Sequence, residues 1–330
     1  MKRVLVCGAG SVGRRHISNL TALGAEVYVW RARADRLAEI ALEFPVQTHA
    51  DLPMAIANVD AVVVATASDR HVTVAQEVLK AGKPLFIEKP LSHSWTGVDA
   101  LVRMAIGKLV EIGCQFRAHP NLVSLERLFR QPDEGRLLTY RMAMGQRLDA
   151  WRPGQDYRQS YSADAARGGG AMMDLIHLID LALWFFGPVA AVSAVLSKMT
   201  DLEIHGDDVA NLLLTHESGV TGQIQLDMAS PVHRCEVEAM TSTAIYRWSN
   251  SEGVLRRHSP NGEAIADRQP EGFQRNDLFL AHMRHFLKRL DDPELPPLCS
   301  LHDGVAALRV ALAARESDQQ RRQVRIQGVT

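Results

Sequence analysis

A short apolar run followed at once by closely spaced glycines opens the chain and constrains its fold most strongly. Residues 4–7 read VLVC, positions 8–13 read GAGSVG, and an apolar helical pattern continues through Ile17 and Leu20 to Gly24. Strand, tight glycine turn and helix in this order begin a doubly wound α/β domain, where the helix N-terminus receives a pyrophosphate. The pattern predicts dinucleotide contacts at Gly8, Gly10, Ser11, Val12 and Gly13.

The end of the second predicted strand bears on the choice of cofactor. Residues 26–30 form the strand, and the next position, where NAD-binding domains usually carry an acid for the ribose hydroxyls, is Arg31. Arg33 follows, and no carboxylate appears before Asp35. A guanidinium can pair with a 2′-phosphate through two hydrogen bonds. We therefore expect NADP(H) at Arg31 and Arg33, with NAD(H) as the second choice; the alternative is that both arginines only decorate a loop.

Polar residues also follow the next predicted strand. Residues 60–65 have a buried-strand pattern and lead into TASDRH at positions 66–71, before a helix that starts near Val72. Small polar residues after a central strand suit contacts to the ribose and nicotinamide of a cofactor. Thr66, Ser68 and His71 are therefore predicted cofactor contacts, although His71 suits packing or capping at the helix start equally well.

A lysine follows the strand after that. Residues 84–87 are apolar, and Glu88, Lys89 and Pro90 come next. Open α/β sheets bind ligands beyond the carboxyl ends of their strands. Lys89 is thus expected where it can exchange a proton with a substrate hydroxyl while a nicotinamide takes the hydride. The alternative is a solvated lysine before a turn.

These motifs together resemble the Gfo/Idh/MocA oxidoreductase family, because GAGSVG, TASDRH and EKP occur in the family's order. The resemblance implies an N-terminal Rossmann domain and an α+β C-terminal domain built on an open, mostly antiparallel sheet. It implies that Lys89 is the catalytic lysine and that Glu88 and Lys89 contact the nicotinamide half of the cofactor. We place the boundary between residues 1–119 and 120–330, with C-terminal helices that can pack back on the first domain.

A triple glycine before an acid and a histidine matches the family's substrate-site signature. Residues 168–170 are glycines, and a predicted helix carries Asp174 and His177, three positions apart where many members have four. Either spacing keeps both side chains on one helical face. The resemblance implies catalytic roles for both: His177 shares proton transfer with Lys89 or holds a hydroxyl, and Asp174 accepts another hydroxyl or orients His177. A cap and a core histidine are the structural alternative.

Further substrate contacts are expected in two segments. The turn after residue 113 resembles the family's hinge between domains, with Gln115 where many members carry Asn and with Arg117 nearby. A polar and aromatic loop at 151–162 precedes the triple glycine. Ordinary packing is an even alternative for the tyrosines and Arg158, and a hinge role is favoured for Arg117. The predicted substrate contacts are Gln115, Arg117, Trp151, Tyr157, Arg158 and Tyr161.

Bulk properties exclude several classes of protein. The chain has 330 residues, enough for two domains, and a net charge of −1 without charge blocks, which argues against nucleic-acid or membrane binding. Four scattered cysteines suit reduced thiols in the cytoplasm and offer no zinc-ligand spacing. The start of the chain is expected to be a strand and not a signal peptide, and the apolar tract 175–196 a buried helix, a turn and a strand.

The leading hypothesis is an NAD(P)-dependent dehydrogenase or reductase of a sugar, a sugar derivative or a cyclitol, without a metal. A non-catalytic cofactor-binding regulator and a reductase of a non-sugar substrate, such as a linear tetrapyrrole or a trans-dihydrodiol, are the alternatives. Strand patterns between residues 190 and 248 predict a broad sheet whose outer face must be covered. A homodimer or homotetramer through that sheet is expected.

Overall fold

The computed structural model describes residues 1–326, which form two compact units. The first unit contains Met1–Ala118 and Gln274–Val305, and the second contains His119–Phe273 and the chain from Ala306 onward. The sequence predicts a boundary between residues 119 and 120, with C-terminal helices that can pack back on the first domain. The structure places the segment 274–305, which contains α9, in the first unit.

Six parallel strands form the sheet of the first unit, in the order β3-β2-β1-β4-β5-β6. This is the doubly wound arrangement that the opening motif predicts. The strands are β1 (Arg3–Cys7), β2 (Glu26–Trp30), β3 (Gln47–His49), β4 (Ala61–Val64), β5 (Leu85–Glu88) and β6 (Val110–Gly113). The helices between them are α1 (Ser11–Ala22), α2 (Leu37–Glu43), α3 (Leu52–Ala57), α4 (His71–Lys80) and α5 (Val98–Met104).

A nine-stranded sheet forms the second unit, and apart from the parallel pair β7 and β10 its neighbouring strands are antiparallel. Its order is β14-β13-β12-β11-β7-β10-β9-β8-β15. The elements are α6 (Pro120–Phe129), β7 (Leu137–Gly145), α7 (Ala171–Asp174), α8 (His177–Phe186), β8 (Val189–Ser197), β9 (Val209–His216), β10 (Thr221–Asp227), β11 (Arg234–Thr241), β12 (Ile245–Ser249), β13 (Val254–Ser259) and β14 (Gly262–Arg268). The last described elements are α9 (Arg275–Arg289), α10 (Leu301–Gln320) and β15 (Val324–Arg325). The predicted fold class is confirmed.

A buried charge network joins α9 to the sheet of the first unit. Glu111 on β6 is fully buried, and its carboxylate lies 3.0 Å from His282 Nε2 and 2.9 Å from Arg289 Nη1. The main-chain N–H of Leu298 also donates to it, at 3.2 Å. A buried carboxylate is tolerated only when it is paired and hydrogen-bonded. These contacts explain why 274–305 belongs with the Rossmann unit.

The long apolar tract after the triple glycine is confirmed as a helix, a turn and a strand. It contains α8, then Gly187 with a φ of 82°, then β8. Among the described residues no single helix is long and apolar enough to cross a membrane. In the described ranges, one pair of helical segments, 165–174 and 177–186, meets that criterion when taken together, and the pair is bent by 52° at the break between them.

Candidate functional site

The glycine turn after β1 leaves the N-terminus of α1 accessible. Gly8 has a φ of 108°, and a Cβ on it would lie 2.5 Å from the carbonyl oxygen of Ala65. A Cβ on Gly13 would lie 2.1 Å from the Gly8 oxygen, whereas a Cβ on Gly10 would meet nothing within 4 Å. Within the part of the chain that the structure describes, no side chain caps the N-terminus of α1. The first and third glycines thus pack the turn, and the space at Gly10 gives a ligand access to the helix N-terminus.

An arginine cluster lies at the end of β2. Arg31 directly follows the strand, and burial together with the charges of Arg36, Arg14 and Arg33 holds the pKa of its guanidinium below the ordinary value. Arg33 pairs with Asp35 at 3.1 Å. Arg31 makes no hydrogen bond or ion pair within the described part of the chain. Arg31 therefore stays a predicted contact of a 2′-phosphate.

The segment after β4 has buried side chains that contact main-chain carbonyl groups. Ser68 and His71 are each 2% exposed, and Thr66 Oγ1 donates to the carbonyl of Ala67 at 3.2 Å. The His71 ring lies 2.8 Å from the carbonyl oxygen of Pro90 and 3.0 Å from that of Thr66. Burial lowers the pKa of this imidazole, against the effect of both carbonyls. These contacts favour packing over direct cofactor contact for His71.

Glu88 is the last residue of β5, and Lys89 follows it directly. Glu88 is 5% exposed, and its carboxylate contacts His16 at 2.7 Å and accepts from the N–H of Lys89 at 3.2 Å. Burial alone would raise the pKa of this carboxyl, but His16 and Lys89 bring it below its ordinary value. Lys89 is half-buried and is joined to Pro90 by a cis peptide bond. The Glu88 side chain thus supports the turn that presents Lys89.

Gln115 and Arg117 both lie just after β6 and are each 5% exposed. The buried amide oxygen of Gln115 has no hydrogen-bond partner among the described residues. The Arg117 guanidinium lies 3.2 Å from the carbonyl oxygen of Leu298 and 3.3 Å from Asp303. Gln115 therefore stays a candidate for binding a ligand, while the contacts of Arg117 favour the structural role.

Asp174 and His177 do not share one helix. Asp174 ends α7 and His177 begins α8, so the expected single helical face is wrong in this detail. The short α7 is anchored at its start by Asp207, whose carboxylate accepts from the N–H of Met172 at 2.8 Å and whose carbonyl accepts from Ala171 at 2.9 Å. Both predicted catalytic residues are nonetheless buried, Asp174 at 2% and His177 at 5% exposure.

Tyr161 is the loop residue that reaches the predicted acid. Its hydroxyl donates to Asp174 Oδ1 at 2.8 Å. Asp207, which sequence reasoning missed, is also close: burial raises the pKa of its carboxyl, and the charge of Asp174 adds to this rise. Its position two residues before β9, far along the sequence from the triple glycine, carried no local signal.

The other predicted loop residues are engaged by their neighbours. Trp151 Nε1 donates to a main-chain carbonyl at 2.8 Å. The Tyr157 hydroxyl accepts from the N–H of Glu203 at 3.0 Å, and Arg158 pairs with the Glu203 carboxylate at 3.1 Å. The two contacts with Glu203 connect the loop 151–170 to the loop that precedes β9. They favour a structural role for Trp151, Tyr157 and Arg158.

Comparisons with known proteins agree with this architecture. Residues 2–115 match the model described as the oxidoreductase family, NAD-binding Rossmann fold, and residues 122–247 match the GFO/IDH/MocA C-terminal domain. A UDP-N-acetylglucosamine 3-dehydrogenase of Acidithiobacillus ferrooxidans is 27% identical, over 94% of this chain and 95% of its own. Inositol 2-dehydrogenase 2 of Paenarthrobacter aurescens is 28% identical, over 96% and 95%. The crystal structure of GenD2 from gentamicin A biosynthesis in complex with NAD superposes with a TM-score of 0.84 at 24% identity, over 99% of this chain and 97% of that one. The chain belongs to the Gfo/Idh/MocA family of oxidoreductases.

Proposed function

We propose that this oxidoreductase transfers a hydride between a nicotinamide cofactor and a secondary alcohol or ketone of a sugar, a sugar derivative or a cyclitol. The observation that carries the proposal is the sequence of groups along one sheet edge. The open glycine turn follows β1, Thr66 and Ser68 follow β4, and Lys89 follows β5, and these three strands are adjacent and parallel. The carboxyl edge of such a sheet is where dinucleotides bind. The named activities of the relatives supply the substrate class.

The cofactor site would use the groups that this edge presents. The pyrophosphate would bind the N-terminus of α1 above Gly10, where backbone N–H groups and the helix dipole favour an anion. Thr66 and Ser68 would bind the ribose and nicotinamide side. Gln115, whose buried amide oxygen has no hydrogen-bond partner among the described residues, would accept a hydrogen bond from the substrate. The bound nicotinamide supplies the hydride acceptor or donor.

Lys89 would act as the general acid and base. In the oxidative direction its neutral amine would take the proton of the substrate hydroxyl, and the bound cofactor would supply the acceptor for the hydride of the carbinol carbon. In the reductive direction its ammonium gives a proton to the carbonyl oxygen. Asp174 and His177 would bind substrate hydroxyls, and Tyr161 would hold Asp174 in place through the 2.8 Å hydrogen bond.

A preference for NADP(H) over NAD(H) is the second part of the proposal. Arg31 is half-buried and has no ion-pair partner among the described residues, whereas Arg33 is paired with Asp35. Fluorescence titration of the wild-type protein and of Arg31→Ala with NADPH and NADH tests it. We expect NADPH affinity to fall about tenfold or more in Arg31→Ala, with a smaller loss in Arg33→Ala. Equal NADPH and NADH affinities in the wild type would refute the preference.

A second copy of the chain is proposed to cover the outer face of the nine-stranded sheet. This face holds a depression of about 870 Å³. Val195 and Leu213 on it are 50% and 44% exposed. The face also carries a positive and a negative side chain, since Arg141 pairs with Glu238 at 2.9 Å. In a two-fold contact, the arginine of one copy can therefore face the glutamate of the other. Light scattering that reports a monomer at working concentration would contradict a homodimer or homotetramer.

The four buried thiols suit a cytoplasmic location.

Turnover with a defined panel tests the activity. Purified protein is mixed with oxidised cofactor and with UDP-N-acetylglucosamine, myo-inositol, simple aldoses and non-sugar secondary alcohols, and reduction of the nicotinamide is followed by absorbance. We expect reduction with at least one sugar or cyclitol. If only the non-sugar alcohols reduce the cofactor, the sugar or cyclitol substrate is wrong and the substrate is a non-sugar alcohol. Cofactor binding without any turnover would support the non-catalytic alternative.

A further inference from the structure

His71 lies between two groups that can only accept hydrogen bonds. Its Nδ1 is 2.8 Å from the carbonyl oxygen of Pro90, and its Nε2 is 3.0 Å from that of Thr66. The neutral imidazole carries one N–H, so it can donate to one of these oxygens and turns a lone pair toward the other. Both contacts are hydrogen bonds only when both ring nitrogens carry protons. The ring is 2% exposed, so water replaces neither contact easily.

A second buried histidine shows the contrast. His216 is also 2% exposed, with Nδ1 2.8 Å from the carbonyl oxygen of Gly187 and Nε2 2.9 Å from the hydroxyl of Tyr140. A hydroxyl can donate as well as accept. His216 is therefore fully satisfied as a neutral ring with its proton on Nδ1, and His71 is not satisfied in either neutral tautomer.

The two oxygens that His71 faces belong to the two segments that follow neighbouring strands. Thr66 lies two residues after β4, and Pro90 follows Lys89 at the end of β5. The charged groups that act on the imidazole are Glu88, which favours its protonation, and Lys89, which opposes it. His71 thus connects the segment with Thr66 and Ser68 to the turn that presents Lys89.

We propose that His71 is a positioning residue of the cofactor site that holds both segments together only in its doubly protonated form, so that cofactor binding is linked to uptake of one proton by this ring. The inference rests on the proposed nicotinamide site. In the unliganded protein at neutral pH the ring is neutral and holds one segment. Ordering of both segments around the cofactor then draws a proton onto the second ring nitrogen.

The pH dependence of cofactor affinity tests the proposal. NADH is the probe because it lacks the 2′-phosphate, which itself titrates near pH 6. We expect the affinity of the wild-type protein to increase from about pH 8.5 to about pH 5.5, by at most about tenfold per pH unit because one proton is linked. His71→Gln retains a donor but does not titrate, so its affinity should lose this dependence. His216→Asn, the matched buried histidine, should keep the wild-type slope.

Ring ¹⁵N chemical shifts of the wild-type protein give a readout that does not depend on how a variant folds. We expect His71 to be neutral without ligand and doubly protonated in the NADH complex at the same neutral pH, while His216 remains neutral with its proton on Nδ1 in both. A neutral His71 in the complex would overturn this inference but not the proposed function. The same holds if NADH affinity depends on pH equally in the wild type and in His71→Gln. A wild-type protein that binds neither NADH nor NADPH would overturn the proposed function and this inference with it.

Discussion

Two alanine substitutions in the same glycine turn should separate stability from cofactor binding. Gly10 has a φ of −75° and a ψ of −170°, a conformation open to any residue, and its Cβ would meet nothing within 4 Å. Gly10→Ala should therefore leave the fold intact and raise the free energy of unfolding by about 0.4–1 kcal/mol, because the unfolded chain loses freedom. The new methyl group would occupy the space proposed for the pyrophosphate.

The expected loss of affinity follows from the contacts that the methyl group displaces. One charge-assisted hydrogen bond between a phosphate oxygen and a backbone N–H is worth about 1.5–3 kcal/mol, which corresponds to roughly a 10- to 150-fold weaker Kd for NADPH. Gly13→Ala differs, because its Cβ would lie 2.1 Å from the Gly8 carbonyl oxygen. Ordinary contact begins near 3.4 Å, so the backbone must shift by about 1.3 Å, and overpacking of this kind costs about 1–3 kcal/mol of stability.

Urea unfolding and NADPH fluorescence titration measure the two effects. Gly10→Ala should lose affinity at full stability, and Gly13→Ala should lose both. Tight NADPH binding by Gly10→Ala would show that the pyrophosphate does not approach this turn. Equal destabilisation by both substitutions would contradict the geometry of the turn itself.

Two further substitutions test the second unit. Tyr161→Phe removes the hydrogen bond to Asp174, so kcat should fall about tenfold or more, whereas Tyr157→Phe should change kcat little; equal kcat values for both would contradict the role of Tyr161. His119 is fully buried, neither ring nitrogen has a hydrogen-bond partner among the described residues, and burial lowers its pKa from 6.5 to about 4. The unfolded state therefore binds the proton first, and about 3 kcal/mol of stability should be lost as the pH falls from about 6.5 to about 4. His119→Phe should abolish that loss in urea unfolding measured across this range, and an unchanged pH dependence would contradict the assignment.

Local patterns predicted the parts of the fold that local physics determines. The glycine turn at 8–13, the strands that precede Thr66 and Lys89, and the helix, turn and strand over 175–196 all follow from periodicity and turn residues close together in sequence. These signals need no knowledge of distant contacts.

Contacts between residues far apart in sequence determine the features that local patterns did not predict. The segment 274–305 joins the first unit through Glu111, which is 171 positions from His282 in sequence, and no local pattern reveals such a pair. The start of α7 likewise depends on Asp207, which is 35 positions from Met172. Arg117 and Arg158 were predicted substrate contacts with a structural role as the alternative. Arg117 pairs with Asp303 from a remote segment, whereas Arg158 pairs with the neighbouring Asp156 as well as with the remote Glu203.

The measurement that most directly tests the central claim is hydride transfer by wild-type protein and by Lys89→Met, each loaded with NADPH and mixed with a ketone product of the substrate found in the panel. NADPH binding is measured in the same samples, and Lys80→Met, an exposed lysine on α4 paired with Glu77, is the control. We expect Lys89→Met to bind NADPH as the wild type does and to oxidise it at least about 100-fold more slowly, the size of a lost general acid. Oxidation of NADPH by Lys89→Met at the rate of Lys80→Met would contradict the assignment of Lys89 as the group that moves the proton.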